Sequence, residues 1–106
     1  MARVEVKLTG FGGQGIVLSG IILARAAVYD KKRVVQTQSY GPEARGGACR
    51  SEVVISDEPI HYPLIEEADI LVAMSQEALD KHINSVKRGG VLIVDSDTVS
   101  RIPERS

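Results

Sequence analysis

Val4, Val6 and Leu8 alternate with Arg3, Glu5 and Lys7 and lead into Thr9-Gly10-Phe11-Gly12-Gly13-Gln14-Gly15, after which Ile16 opens a long apolar stretch. The alternation is the period-two signature of a strand with one buried face. Gly10, Gly12 and Gly15 have the G-x-G-x-x-G spacing that nucleotide-binding α/β folds place between their first strand and first helix. A strand, spaced glycines and a helix in that order predict a chain that opens as the first half of a β-α-β unit.

The helix predicted over IVLSGIILARAAVYD is apolar nearly all round, interrupted only by Ser19 and Arg25. Such a helix calls for cover on both sides, by its own sheet and by something else. RVVQTQ predicts a second strand, SEVVIS a third, ADILVAM a fourth and VLIVD a fifth. The last two are continuous apolar runs, as in central strands covered on both faces. Ser75 is the predicted N-cap of a helix through QEALDKHINSVKR, with Leu79, Ile83 and Val86 on one face and Gly89–Gly90 as the stop. The connection QSYGPEARGGACR lacks helical periodicity and room for a crossover helix, so strand three is expected to run antiparallel to strand two. The predicted fold class is a three-layer, Rossmann-like α/β domain, one over 1–106, whose mainly parallel sheet is mixed at strand three.

Composition narrows the function. Thirteen basic and fourteen acidic side chains are mixed along the chain, for a net charge of −1; this is not the basic stripe of a nucleic-acid binder. The single cysteine, Cys49, is too few for an internal disulfide, a zinc site or an iron–sulfur cluster within the chain. With no apolar signal core and no stretch long enough to span a bilayer, the expectation is a cytoplasmic protein without a membrane partner.

Free N–H groups at a helix start and closely approaching glycines suit a pyrophosphate, but a dinucleotide also asks for an acid at the end of strand two. That place reads Gln36-Thr37-Gln38. Three readings of the Gly10, Gly12, Gly13, Gln14 and Gly15 loop stay open: a dinucleotide, a tight strand-to-helix turn, or another phosphate ligand or partner. The second unusual segment, TQSYGPEARGGACRSE, combines a fixed turn at Tyr40-Gly41-Pro42 with the charged Glu43 and Arg45 and the permissive Gly46–Gly47. Loops of this kind carry function; the plain alternative is a long solvated hairpin loop.

GFGGQGIVLSGIILARAAV, TQSYGPEARGGACRSEVVIS and ADILVAMSQEA together resemble the gamma subunit of 2-oxoacid:ferredoxin oxidoreductases, with the 2-oxoglutarate enzyme the nearest match. The resemblance implies a part in the oxidative decarboxylation of a 2-oxoacid with coenzyme A, giving acyl-CoA, carbon dioxide and reduced ferredoxin. It implies alpha, beta and delta partner subunits, with thiamine diphosphate and iron–sulfur clusters on those partners and no cofactor bound by this chain alone. It makes the two glycine-rich loops, including Tyr40, Gly41, Arg45, Gly46 and Gly47, ligand or subunit-interface elements. Gamma subunits of that family continue past the strand matching VLIVD, so the resemblance also implies a domain incomplete relative to the family. The rival reading is a free-standing nucleotide-binding or regulatory domain.

The remaining reactive side chains read as structural. His61 and His82 lack partners at metal-ligand spacing and are expected at the surface; Cys49 reads as a small packed thiol. Asp95 and Asp97 read as turn formers. No nucleophile–base pair is legible, so the chain alone is expected to be inactive.

Overall fold

β1 (Arg3–Phe11), α1 (Ile16–Tyr29), β2 (Arg33–Tyr40), β3 (Ala48–Ser56), β4 (Ala68–Ala73), α2 (Gln76–His82), a 3-10 turn (Ile83–Ser85) and β5 (Val86–Val94) follow one another along the chain. They come from a computed structural model that describes residues 3–11, 15–40, 48–60, 67–100 and 102. The strands form one five-stranded sheet in the order β2-β3-β1-β4-β5. β1 pairs parallel with β4, and β4 with β5. β3 is antiparallel to both β1 and β2. The mixed α/β sheet expected from the short connection after Tyr40 is therefore present, with β3 as its reversed strand.

The helices lie on opposite faces. α1 packs through Ile16, Val17, Leu23 and Ala24 on Val6, Leu8, Cys49 and Val53. α2 packs through Leu79 on Ala73, Leu92 and Val94, joined by Ile83 and Val99. Because side chains alternate across a strand, Leu8 and Thr9, or Val72 and Ala73, belong to different layers. α1 approaches β3 closely at Gly20, where an added Cβ would land on Ser51 Oγ and lie 3.0 Å from Ser51 Cβ.

Three local expectations are corrected. β1 is the central strand rather than a half-solvated one: Lys7 and Thr9 are buried alongside Val6 and Leu8. Their polar groups find partners across the sheet, Lys7 in an ion pair with Glu52 at 3.7 Å and Thr9 Oγ1 by donating to the Val72 carbonyl at 2.8 Å. β5 is an edge strand, and Val91 and Ile93 on its α1 side are half exposed, because α1 covers β1, β2 and β3. α2 also ends earlier than the sequence suggests, since Val86 already pairs with Ala68 in the sheet. Gly89–Gly90 is then a bulge in β5 instead of a helix stop. The register passes from Ala68↔Val86 to Ile70↔Val91, and Gly89 takes φ 81°, a left-handed value that suits glycine.

α1 has the second apolar face that its composition predicts. Leu18, Ile22 and Tyr29 are exposed at i, i+4 and i+11, the spacing of one helical stripe.

Candidate functional site

The carboxyl ends of β1, β2 and β4 lie at one end of the sheet, where β3 begins. Gly10 stands opposite Cys49 in the β1–β3 ladder, and Tyr40 stands opposite the same Cys49 in the β2–β3 ladder. The last described residues of β1 and β2 therefore flank β3 at the same end of the sheet, although some thirty residues of sequence separate them. Gly10, Gly15 and the backbone of Tyr40 are thus brought to one place. Gly12, Gly13, Gln14, Gly41, Arg45, Gly46 and Gly47, with Pro42 and Glu43, lie outside the described residues.

β1 and β4 are adjacent and parallel, and the helices that follow them go to opposite faces. That is the topological switch point at which open α/β sheets form a crevice beyond their strand ends. The Met74 N–H donates to the Thr9 carbonyl at 2.9 Å, tying the mouth of β4 to β1. On the β1 side Gly15 takes φ 78° and ψ 20° and opens α1 with no side-chain cap and no acidic residue in the first turn. The early N–H groups of α1 lack intrahelical acceptors and give this end of the crevice a partial positive charge. On the β4 side Ser75 Oγ accepts the Ala78 N–H at 3.1 Å, so the predicted N-cap is observed and Ser75 is occupied as a cap.

Beyond β5 the chain folds back against the same end. Asp95 Oδ1 accepts the Asp97 N–H at 2.9 Å, and the Asp95 carbonyl accepts the N–H groups of Thr98 and Val99. The two aspartates are turn formers, as expected, and Thr98 Oγ1 donates to the Met74 carbonyl at 2.8 Å. Cys49 is buried, and burial pushes its thiol pKa up, which makes it an unreactive packed residue.

A polar cluster that the sequence reading did not bring together lies on the α2 side of the sheet, with Arg50 at its crevice end, opposite Thr9 and Ser39. Glu52 lies between Lys7 and Arg50, 3.7 Å and 3.9 Å away. Burial lowers the Lys7 pKa against the opposing pull of Glu52. His82 is half-buried rather than a surface residue; burial, together with the charges of Lys7, Lys81 and Arg50, pushes its pKa down to about 4. It is a neutral imidazole near neutral pH. Lys7 and Glu52 occupy positions that a period-two pattern assigns to solvent, and only the neighbouring strand's identity reveals their pairing. Among the described residues no three His, Cys, Asp or Glu side chains come together as a metal site.

The family model for pyruvate ferredoxin/flavodoxin oxidoreductase matches residues 5–106. The chain belongs to this family. It is 62% identical over 105 residues to the 2-oxoglutarate synthase subunit KorC of Methanocaldococcus jannaschii, a match that takes in 96% of this chain and 56% of that relative. Among solved structures it resembles the keto/oxoacid ferredoxin oxidoreductase gamma subunit of Geobacter sulfurreducens, with a TM-score of 0.84 and 51% identity, over 97% of this chain and 56% of that one. The same fold recurs in the 2-oxoglutarate:ferredoxin oxidoreductase of Magnetococcus marinus, with a TM-score of 0.87 at 23% identity, over 98% of this chain and 18% of that one. The chain spans about half the length of the gamma-type relatives it matches. The pyruvate ferredoxin/flavodoxin oxidoreductase model thus takes in both glycine-rich sequence segments and residues of all five strands. No helix among the described residues is long and apolar enough to cross a membrane.

Proposed function

We propose that this chain acts as the gamma component of a cytoplasmic 2-oxoglutarate:ferredoxin oxidoreductase, in the coenzyme A-dependent oxidative decarboxylation of 2-oxoglutarate to succinyl-CoA, carbon dioxide and reduced ferredoxin. The observation that carries it is the 62% identity to a 2-oxoglutarate synthase subunit across nearly the whole chain. In this reading alpha, beta and delta subunits hold the thiamine diphosphate and iron–sulfur clusters, and the chain contributes binding and assembly. Two exposed apolar surfaces suit that role: the Leu18–Ile22–Tyr29 stripe and the uncovered Val91–Ile93 face of β5. Contiguous apolar surface of this kind marks protein contacts.

In this reading the two glycine-rich loops border the coenzyme A site or the surface that closes over it: Gly10, Gly12, Gly13, Gln14 and Gly15 offer backbone that a ligand can approach closely, and the segment of Tyr40, Gly41, Arg45, Gly46 and Gly47 offers permissive backbone and a guanidinium for phosphate. The Magnetococcus marinus enzyme that shares the fold is described with 2-oxoglutarate, coenzyme A and succinyl-CoA bound, a ligand set of the chemistry proposed.

A dinucleotide is disfavoured on two counts. Gln36-Thr37-Gln38 has no carboxylate for a ribose, and β3 stands between β1 and β2, so an acid at the end of β2 would lie a strand too far from the glycine loop. The test is purification from the source cell, with partner subunits identified by mass, followed by Arg45→Ala and Gly13→Ala in the assembled complex. A tenfold to hundredfold loss of coenzyme A affinity in an intact complex supports the ligand site, as expected for a lost charge-assisted hydrogen bond. Unchanged coenzyme A dependence with dissociation of the subunits makes the loops assembly elements. Copurification with no oxidoreductase subunit removes the proposed function.

A further inference from the structure

We infer that β2 is a self-pairing edge, through which two copies of this chain join antiparallel over Val34–Tyr40 about a two-fold axis at Thr37. Among the described residues β2 ends the sheet on one side, so a row of outward N–H and C=O groups faces away from β3. Its eight residues pair with β3 from Arg33↔Ser56 to Tyr40↔Cys49 without a register break. From Val34 to Tyr40 there is no charged residue, no proline and no glycine. Those are the devices by which folded proteins stop an edge strand from recruiting another. The opposite edge has them: β5 carries Lys87 and Arg88, and its register shifts at the Gly89–Gly90 bulge. With one open edge and one blunted edge, pairing closes at two copies instead of growing into a filament.

Charge favours a second copy in the antiparallel sense. Lys31, Lys32 and Arg33 all stand at the amino-terminal end of β2. Antiparallel pairing sends the two basic ends to opposite ends of the new ribbon, whereas parallel pairing would stack them. A two-fold axis normal to the sheet continues each face only if it passes through a residue. With Thr37 on the axis, Gln36 meets Gln38 of the second copy and Val35 meets Ser39. These pairs are uncharged, and the amides of Gln36 and Gln38 already bond one another within a chain, Gln36 Nε2 donating to Gln38 Oε1 at 3.2 Å. α1 packs on β2 and β3, so a strand spacing of about 4.8 Å sets the two α1 axes roughly 10–14 Å apart, close to the 8–10 Å of packed helices. α1 carries one charged side chain, Arg25, so little repulsion opposes that approach.

The test uses the full chain, alone and coexpressed with its partner subunits. Sedimentation across the micromolar range is expected to give twice the chain mass. Thr37 is exposed, so Thr37→Lys leaves the protomer's packing intact while setting two ammonium groups side by side at the axis; dimer affinity should fall at least tenfold with an unchanged circular dichroism spectrum. Thr37→Cys should give a symmetric disulfide-linked dimer on mild oxidation, in the isolated chain and in the complex, while Arg88→Cys on β5 should not. A folded wild-type monomer, a dimer indifferent to Thr37→Lys, or a Thr37→Cys crosslink to a different polypeptide would each overturn the inference.

Discussion

Gly20 is a point of close approach between α1 and β3, and its substitution gives a prediction opposite in sign to ordinary helix propensity. At an open helical position Gly→Ala stabilises by about 1 kcal/mol. Here the new methyl falls on Ser51 Oγ and within 3.0 Å of Ser51 Cβ. Ser51 is fully buried, and its hydroxyl accepts from Gln36 Nε2 at 3.2 Å and donates to the Thr37 carbonyl at 3.4 Å. Overpacking a closed site costs about 1–3 kcal/mol, and turning a buried hydroxyl from its partners adds about 1–3 kcal/mol. Less the helix gain, Gly20→Ala should destabilise by about 1–5 kcal/mol, read from the urea midpoint at constant slope. Ser51→Gly removes both offending atoms, so the double variant should recover part of the loss and show a favourable coupling of order 1 kcal/mol in a double-mutant cycle. A Gly20→Ala protein as stable as the parent, or more so, would refute the close approach of α1 to β3.

The other perturbations are simpler. His82 is neutral in the folded chain, with a pKa near 4 against an ordinary 6.5, so the unfolded chain binds the extra proton and stability falls as pH drops from about 6.5 towards 4. The full effect would be about 3 kcal/mol, and solvent screening at a half-buried ring reduces it to roughly 1–2 kcal/mol; urea midpoints at several pH values should flatten in His82→Gln. An added Cβ at Gly90 meets the Asp69 and Lys87 carbonyls at 2.8 Å, backbone that cannot turn aside, so Gly90→Ala should lower stability by about 1–3 kcal/mol. Gly89 has open space but positive φ, and Gly89→Asn should be tolerated better than Gly89→Ala by thermal melting. Ser75→Ala removes the N-cap of α2 and should cost about 1 kcal/mol with no change in coenzyme A dependence of the assembled complex; a change there would make Ser75 a ligand contact.

Much of the fold was legible because its signals are local. The glycine loop after an alternating strand, the Ser75 cap and the short link after Tyr40 each depend on a few adjacent residues. They gave the first β-α unit, the start of α2 and the reversal of β3. Strand order depends on contacts between distant segments, which period and composition do not encode. β1 reads as half-polar because Lys7 and Thr9 satisfy themselves against Glu52 and Val72 on neighbouring strands. β5 reads as doubly covered because apolar residues at an edge look the same in sequence as apolar residues in the centre. Gly89–Gly90 has the composition of a helix stop and of a bulge alike. At the candidate site, the motifs marked two segments of sequence, while the placing of Gly10 and Tyr40 on either side of Cys49 needed the ladder register.

The central place of β1 has a consequence for how the chain is made. β1 is synthesised before either strand that flanks it, and the Thr9–Val72 hydrogen bond closes over a separation of 63 residues. At a synthesis rate of roughly 5–20 residues per second, β1 waits about 3–12 s after its own completion before the end of β4 has been added. During that interval β1 can pair only with β3, which is complete at Ser56, and Val6 and Leu8 can pack on α1. Nascent-chain folding should therefore begin with β2, β3 and β1 under α1 and finish as β4 and β5 add to the open side of β1.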